Sequence, residues 1–190
     1  MTTVISGVVP LLLFGALTPG IIWRARREGL DGANLVAQLL LGAWIAAVVA
    51  LTWFPLPIPH GAARPIVQSH DWPAPWAAIT PFATIGMSLE RGFGTAEGRV
   101  LIGNVLAFVP LGVLAPFLST RWRSAGRILA LGVVASTAIE LGQLAWDLII
   151  RMPWRSADID DVIVNTFGTV VGYAAWRAAR AIRRRAVSLA

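Results

Sequence analysis

Residues 139–173 read IELGQLAWDLIIRMPWRSADIDDVIVNTFGTVVGY and set the densest run of acidic and amide side chains inside and between two apolar stretches. Crossing a bilayer takes roughly 20 apolar residues, and an ionisable group within such a run is costly enough to be read as functional by default. Outward from this stretch, composition decides the solvent in which the chain folds. Of 190 residues, 56% are hydrophobic and 14% are charged, with a mean hydropathy of +0.68. The fold class that follows is all-α, a polytopic membrane helix bundle, because helices satisfy every backbone group within hydrocarbon.

Five spans are expected, at about 4–23, 34–54, 100–118, 128–146 and 159–176, the last being the least apolar. The first tolerates Pro10 and Pro19, as membrane helices do when neighbours resatisfy freed carbonyls. No positive charge precedes it and an Arg cluster follows, so it reads as a span and not as a secretory leader. The domain organisation is then an N-terminal helical hairpin (1–55), a loop (56–99), a three-helix core (100–180) and a basic tail (181–190).

All sixteen cationic side chains are Arg. Eleven fall between spans 1 and 2, between spans 3 and 4, or after span 5: Arg24, Arg26, Arg27, Arg121, Arg123, Arg127, Arg177, Arg180, Arg183, Arg184 and Arg185. The other side receives Arg64, Arg91, Arg99, Arg151 and Arg155, with most of the acidic residues. The positive-inside rule therefore expects the N-terminus outside, the C-terminus inside, and an extracytoplasmic 2–3 loop. That loop opens FPLPIPH (54–60) and continues HDWPAPWAAITPFATIG (70–86); Trp72, Trp76 and Phe82 suggest an ordered cap with a short interfacial helix or re-entrant piece.

A pI near 11.5 points here to anionic membrane lipids as partners and not to nucleic acid, since no basic patch interleaved with aromatics is present. The absence of Cys excludes disulfides, thiol nucleophiles and thiolate metal sites.

Depth can be assigned to the polar residues. Glu140 precedes the outer end of the fourth span, at Trp146, by six residues, about 9 Å at helical rise. Gln143 and Asp147 follow at i+3 and i+7 on the same face, and Asp158, Asp161 and Asn165 repeat that spacing into the fifth helix. Asp160 points elsewhere, and Asn104 in the third span lies at a depth comparable to Glu140. An inward, paired arrangement is expected, because a lone carboxylate facing lipid costs about 2.5–3.5 kcal/mol. Arg155 is the nearby cation, suited to bridging a carboxylate or gripping a phosphate with two parallel bonds. The plainer alternative is a polar network that only clamps helices 3, 4 and 5, with Asp158 capping the fifth helix.

The segments GNVLAFVPLGVLAP (103–116), IELGQ (139–143) and RSADIDDVIVNTFGTVVGY (155–173), with WAAITPFATI (76–85) upstream, resemble the VanZ-like family. The resemblance covers about 76–176; the first two spans fit by hydropathy only. It implies a bacterial multi-pass protein of the cytoplasmic membrane, in a family whose namesake accompanies glycopeptide resistance clusters and confers teicoplanin resistance. The family pattern points to Asn104, Pro110, Gly112, Glu140, Gln143, Arg155, Asp158, Asp160, Asp161, Asn165 and Gly168. Here Gly142 precedes Gln143 and the surroundings are plainer than in the family's fourth span.

Independently of family, Pro110 and Pro116 flanking Gly112 suggest a kinked, closely approached third helix, and Gly168 with Gly172 suits tight helix contact. No cofactor is implied. The chain lacks the Lys and His motifs of membrane lipid phosphatases and the Ser/His or HExxH elements of intramembrane proteases; His60 and His70 read as ordinary loop residues. A carboxylate-only enzyme acting on a lipid or glycan carrier stays open, with Glu140, Asp158 and Asp161 as weak metal candidates. The leading expectation is a cell-envelope protein that is not an enzyme. Its outward polar pocket, formed by Asn104, Glu140, Gln143, Arg155, Asp158, Asp160, Asp161 and Asn165, would engage a lipid-linked cell-wall intermediate, a phospholipid headgroup or an amphiphilic glycopeptide. A structural partner in an envelope complex is the third reading.

Overall fold

A computed structural model describes residues 2–59 and 76–188. In chain order the elements are β1 (Thr2–Ile5), α1 (Val8–Arg27), α2 (Gly32–Trp53), β2 (Leu56–Pro59), β3 (Ala77–Ala78), α3 (Ala83–Arg91), α4 (Ala96–Leu118), a 3₁₀ turn (Thr120–Arg123), α5 (Ala125–Ile150), β4 (Ala157–Asp158) and α6 (Ile159–Ser188). The architecture is the expected all-α bundle. Four of its helices, α1, α2, α4 and α5, are long and apolar enough to cross a membrane. α6 occupies the position of the fifth expected span but falls short of that apolar length, because Asp160 and Asp161 open it and arginines fill its end.

The boundaries differ from expectation where pairing intervenes. The first helix begins at Val8 and not Val4, because Thr2–Ile5 pairs antiparallel with Leu56–Pro59 in the register Thr2↔Pro59 to Ile5↔Leu56. Pro10 therefore sits in the first turn of α1, where no helical partner is missing, and Pro19 lies inside the helix. The basic segment 181–188 continues α6 without a break. The 2–3 loop contains a short helix, α3, and a two-residue parallel bridge pairing Ala77 with Ala157 and Ala78 with Asp158. His60, His70 and Trp72 lie outside the described residues.

The bundle is assembled around α4 and α6, which form its closest pair, with α5 against α6 and the α1–α2 hairpin docked through α2 onto α4. Glycine sets that closeness. A Cβ at Gly168 would overlap the Val105 carbonyl, one at Gly172 the Val109 carbonyl, and one at Gly112 the Thr169 carbonyl. The small-residue spacing read on the fifth helix thus lets two backbones touch.

Two apolar clusters flank this seam. Val48, Phe108 and Leu111 join α2 to α4, with the Trp44 ring edge-on to Phe108 at 5.7 Å and its indole N–H donating to the Ala107 carbonyl. Ala115, Ile128, Tyr173 and Trp176 join α4, α5 and α6 at the other end. Outward faces stay apolar: Leu12, Leu51, Leu106, Val134, Leu141 and Phe167 are all exposed. Exposed apolar side chains on every long span are more than soluble monomers usually carry and suit contact with lipid.

Candidate functional site

The ends of the helices sort the chemistry. One end gathers β1, β2, α3, the N-terminus of α4 and the α5–α6 connection; the other gathers the α1–α2 turn, the 3₁₀ turn and the C-terminal half of α6, hence the eleven arginines. Every residue singled out between 140 and 165 lies toward the first end.

Asp147 is fully buried near the C-terminus of α5. Its Oδ2 accepts the backbone N–H groups of Trp154 (2.9 Å), Arg155 (3.1 Å) and Ser156 (3.2 Å). α5 ends with Arg151 in the left-handed region (φ 55°) and Ser156 follows at φ 45°, so the connection is a tight, locally strained turn that the carboxylate holds shut.

Asp160 plays the same part for another element. Its Oδ1 accepts from Phe82 N–H (2.6 Å), while Oδ2 accepts from Thr84 N–H (2.8 Å) and Ile85 N–H (3.0 Å). Phe82, the residue before α3, is left-handed at φ 66° and supplies no capping side chain, so a carboxylate from α6 caps the helix across the fold. The segment 76–85 is tied to the core by this contact. Asp158 adds a second tie, accepting the Thr84 hydroxyl on Oδ2 (2.7 Å) and Asp160 N–H on Oδ1 (2.8 Å), the latter in the manner of a helix cap.

Arg155 and Gln143 do not join the carboxylates. Arg155 Nη2 donates to the Phe54 (2.8 Å) and Leu51 (3.3 Å) carbonyls, and Gln143 Nε2 to the Thr52 carbonyl (2.7 Å). The last turn of α2 leaves orphan carbonyls at this point, and a guanidinium and an amide satisfy them. Gly142 makes room: a Cβ there would enter the Trp53 ring. Of the two uses open to the Arg155 guanidinium, a carboxylate bridge or a phosphate grip, the bridge is not formed, since its Nη2 is on the Leu51 and Phe54 carbonyls. Among the described residues the ion pair present is Arg24–Glu28, at the opposite end.

What remains is a compact acceptor cluster. Glu140, buried on α5, accepts Asp158 N–H on Oε2 (2.9 Å). Asp158 and Asp161 face it, and Asp161 hydrogen-bonds the side chain of Asn104 from α4. Asn165, one turn below Asp161, donates through Nδ2 to Ser136 Oγ (2.8 Å), and Ser136 reaches the Asp161 carbonyl at 3.4 Å. Asn165 Oδ1 and Thr166 Oγ1 are buried and find no partner among the described residues. Asn104, Glu140 and Asn165, from α4, α5 and α6, are thus linked through Asp161 and Ser136.

Among the described residues no three His, Asp or Glu side chains are grouped as a set that could hold a metal ion, and Glu140 Oε2 and Asp158 Oδ2 accept from a backbone amide and a hydroxyl. Sequence reasoning missed Ser136 and Thr84. Ser136 sits four residues before Glu140 on the same helix face and was open to the same stripe argument; Thr84 is non-local, and only its place in the segment 76–85 marked it.

No curated protein and no solved structure matches the chain. A family model, described as VanZ/LLP1, matches residues 41–180, from the middle of α2 through the Asn104–Glu140–Asp161 cluster and into the arginine-rich half of α6. With its membrane-length helices and a match over most of its length, the chain is a membrane protein that belongs to the VanZ/LLP1 family.

Proposed function

We propose that the protein serves the bacterial cell envelope from the cytoplasmic membrane, with its N-terminus and the acidic cluster outward, and that the cluster binds the polar head of an amphiphilic ligand. The observation that carries this reading is chemical one-sidedness. Glu140, Asp158 and Asp161 adjoin one another, Asn165 adds an unpartnered acceptor, and the Arg155 guanidinium is engaged on α2. The spare capacity of such a group is for accepting hydrogen bonds, so the matching head is rich in donors, an ammonium or a set of sugar hydroxyls, and not a bare phosphate. Glycopeptides with an acyl chain, such as teicoplanin, and the glycan of a lipid-linked cell-wall precursor both have that character. Asn104, Asp158 and Asp161 are half-buried, so the head would meet them first, while Glu140, Ser136 and Asn165 are buried behind them.

The test is Glu140→Gln and Asp161→Asn in cells where the protein alters teicoplanin susceptibility, at matched membrane levels. Loss of the altered susceptibility in both is expected; an unchanged phenotype at unchanged level sinks the binding role.

A second reading has its own support. Asp147, Asp160, Gln143 and Arg155 are all committed to backbone groups, which favours a polar clamp that joins α2, α3, α5 and α6. It predicts that Glu140→Gln lowers stability while susceptibility follows protein level alone.

A further inference from the structure

The far end of the bundle carries a different chemistry. Beyond Trp176, α6 runs on as an exposed arginine helix past the end of α4 and the 3₁₀ turn. Between them lies a cavity of about 540 Å³, walled on one side by Pro116, Phe117 and Trp176 and on the other by Arg123, Arg180 and Arg184. A second cavity of about 610 Å³ shares Trp176 and these three arginines. Arg180 stacks on the Trp176 ring with its guanidinium carbon 5.3 Å from the centroid, and it faces both Arg123 and Arg184.

Like charges are thus gathered on an aromatic floor with no acid to balance them. No Asp or Glu occurs from 98 to 139 or after Asp161, and among the described residues none of these arginines has an ion pair. The base of the group is held firmly: the Arg123 Nε donates to the Pro116 carbonyl (3.3 Å), and Tyr173 Oη donates to the Arg123 carbonyl (2.6 Å). A planar guanidinium set of this kind matches phosphate oxygens, while the wall of Pro116, Phe117 and Trp176 continues into the apolar exterior of the helices.

We infer that this groove is a binding site for an anionic phospholipid, its phosphate between Arg123, Arg180 and Arg184 and an acyl chain along Phe117 and Trp176. A free anion would use the arginines and leave the apolar wall uncovered; a lipid of the adjoining leaflet uses both. The site lies at the opposite end from the acceptor cluster and does not depend on its function.

The experiment is equilibrium binding of a tail-labelled phosphatidylglycerol, with phosphatidylcholine alongside, to the full-length protein in zwitterionic detergent. An arginine in contact with the bound anionic head contributes about fivefold to affinity, so the double variant Arg180→Gln/Arg184→Gln should weaken phosphatidylglycerol about thirtyfold. Arg184 is exposed and Arg180 half-buried against Trp176, and circular dichroism checks that the variant keeps its helices. The control Arg24→Gln/Arg26→Gln removes equal charge from the same end outside the groove and should change affinity less than about twofold. Equal losses in the two double variants, equal binding of the two lipids, or full displacement by millimolar inorganic phosphate would each overturn the assignment.

Discussion

At the scale of single residues, four conspicuous polar side chains of the 139–173 stretch act as acceptors or donors for backbone. Asp147 closes the α5–α6 connection, Asp160 caps α3, and Gln143 and Arg155 finish α2. Each orphaned backbone group costs about 1–3 kcal/mol, so Asp147→Ala, which orphans three amides, is expected to destabilise the protein by about 3 kcal/mol or more. Asp147→Asn keeps one acceptor oxygen and should cost less. Unfolding by SDS titration in mixed micelles measures both, and a neutral Asp147→Ala would remove the capping role. Asp160→Asn should act locally, weakening the hold on Phe82, Thr84 and Ile85. Limited proteolysis would then report faster cleavage in the 76–95 region with the helical core intact.

At the scale of elements, the α4–α6 seam depends on glycines whose absent Cβ lets carbonyls of the partner helix approach. Gly172→Ala forces a methyl group onto the Val109 carbonyl and is expected to cost about 2 kcal/mol through overpacking. Gly103→Ala, on α4 and with nothing within 4 Å of the new Cβ, should instead stabilise by about 0.5–1 kcal/mol through helix propensity. Thermal unfolding in detergent distinguishes the two signs. The pair separates packing from composition, since both substitutions are the same change in a helix of the same bundle.

At the scale of the whole molecule, the helices place most of the acids at one end and most of the arginines at the other, and a bilayer reads that asymmetry as orientation. The chain has no Cys, so single cysteines report without background. Gly94→Cys lies in the 2–3 loop on the acidic side and Thr120→Cys in the arginine-rich 3₁₀ turn; both positions are exposed. A membrane-impermeant maleimide added to intact cells should label the first and label the second only after the membrane is opened. The reverse pattern would invert the proposed outward face of the cluster.

The membrane class, the all-α architecture and the close helix contact were legible from local signals: hydropathy over about twenty residues and the small-xxx-small spacing at Gly168 and Gly172. These properties belong to one helix at a time, so a helix's own sequence determines them. Which polar residue serves which purpose was a different matter. Asp160 and Asp161 are adjacent and chemically identical, yet one caps a helix 76 residues earlier and the other meets Asn104. Arg155 lies in the same loop as the acids, yet it serves α2, a hundred residues upstream. A buried polar group takes whatever partner the packing of other helices leaves within hydrogen-bond reach, and that is decided by distances between segments remote in sequence. Helices and membrane residence are therefore written in the chain; the division of its polar residues into caps, acceptor cluster and arginine groove arises only when the bundle closes.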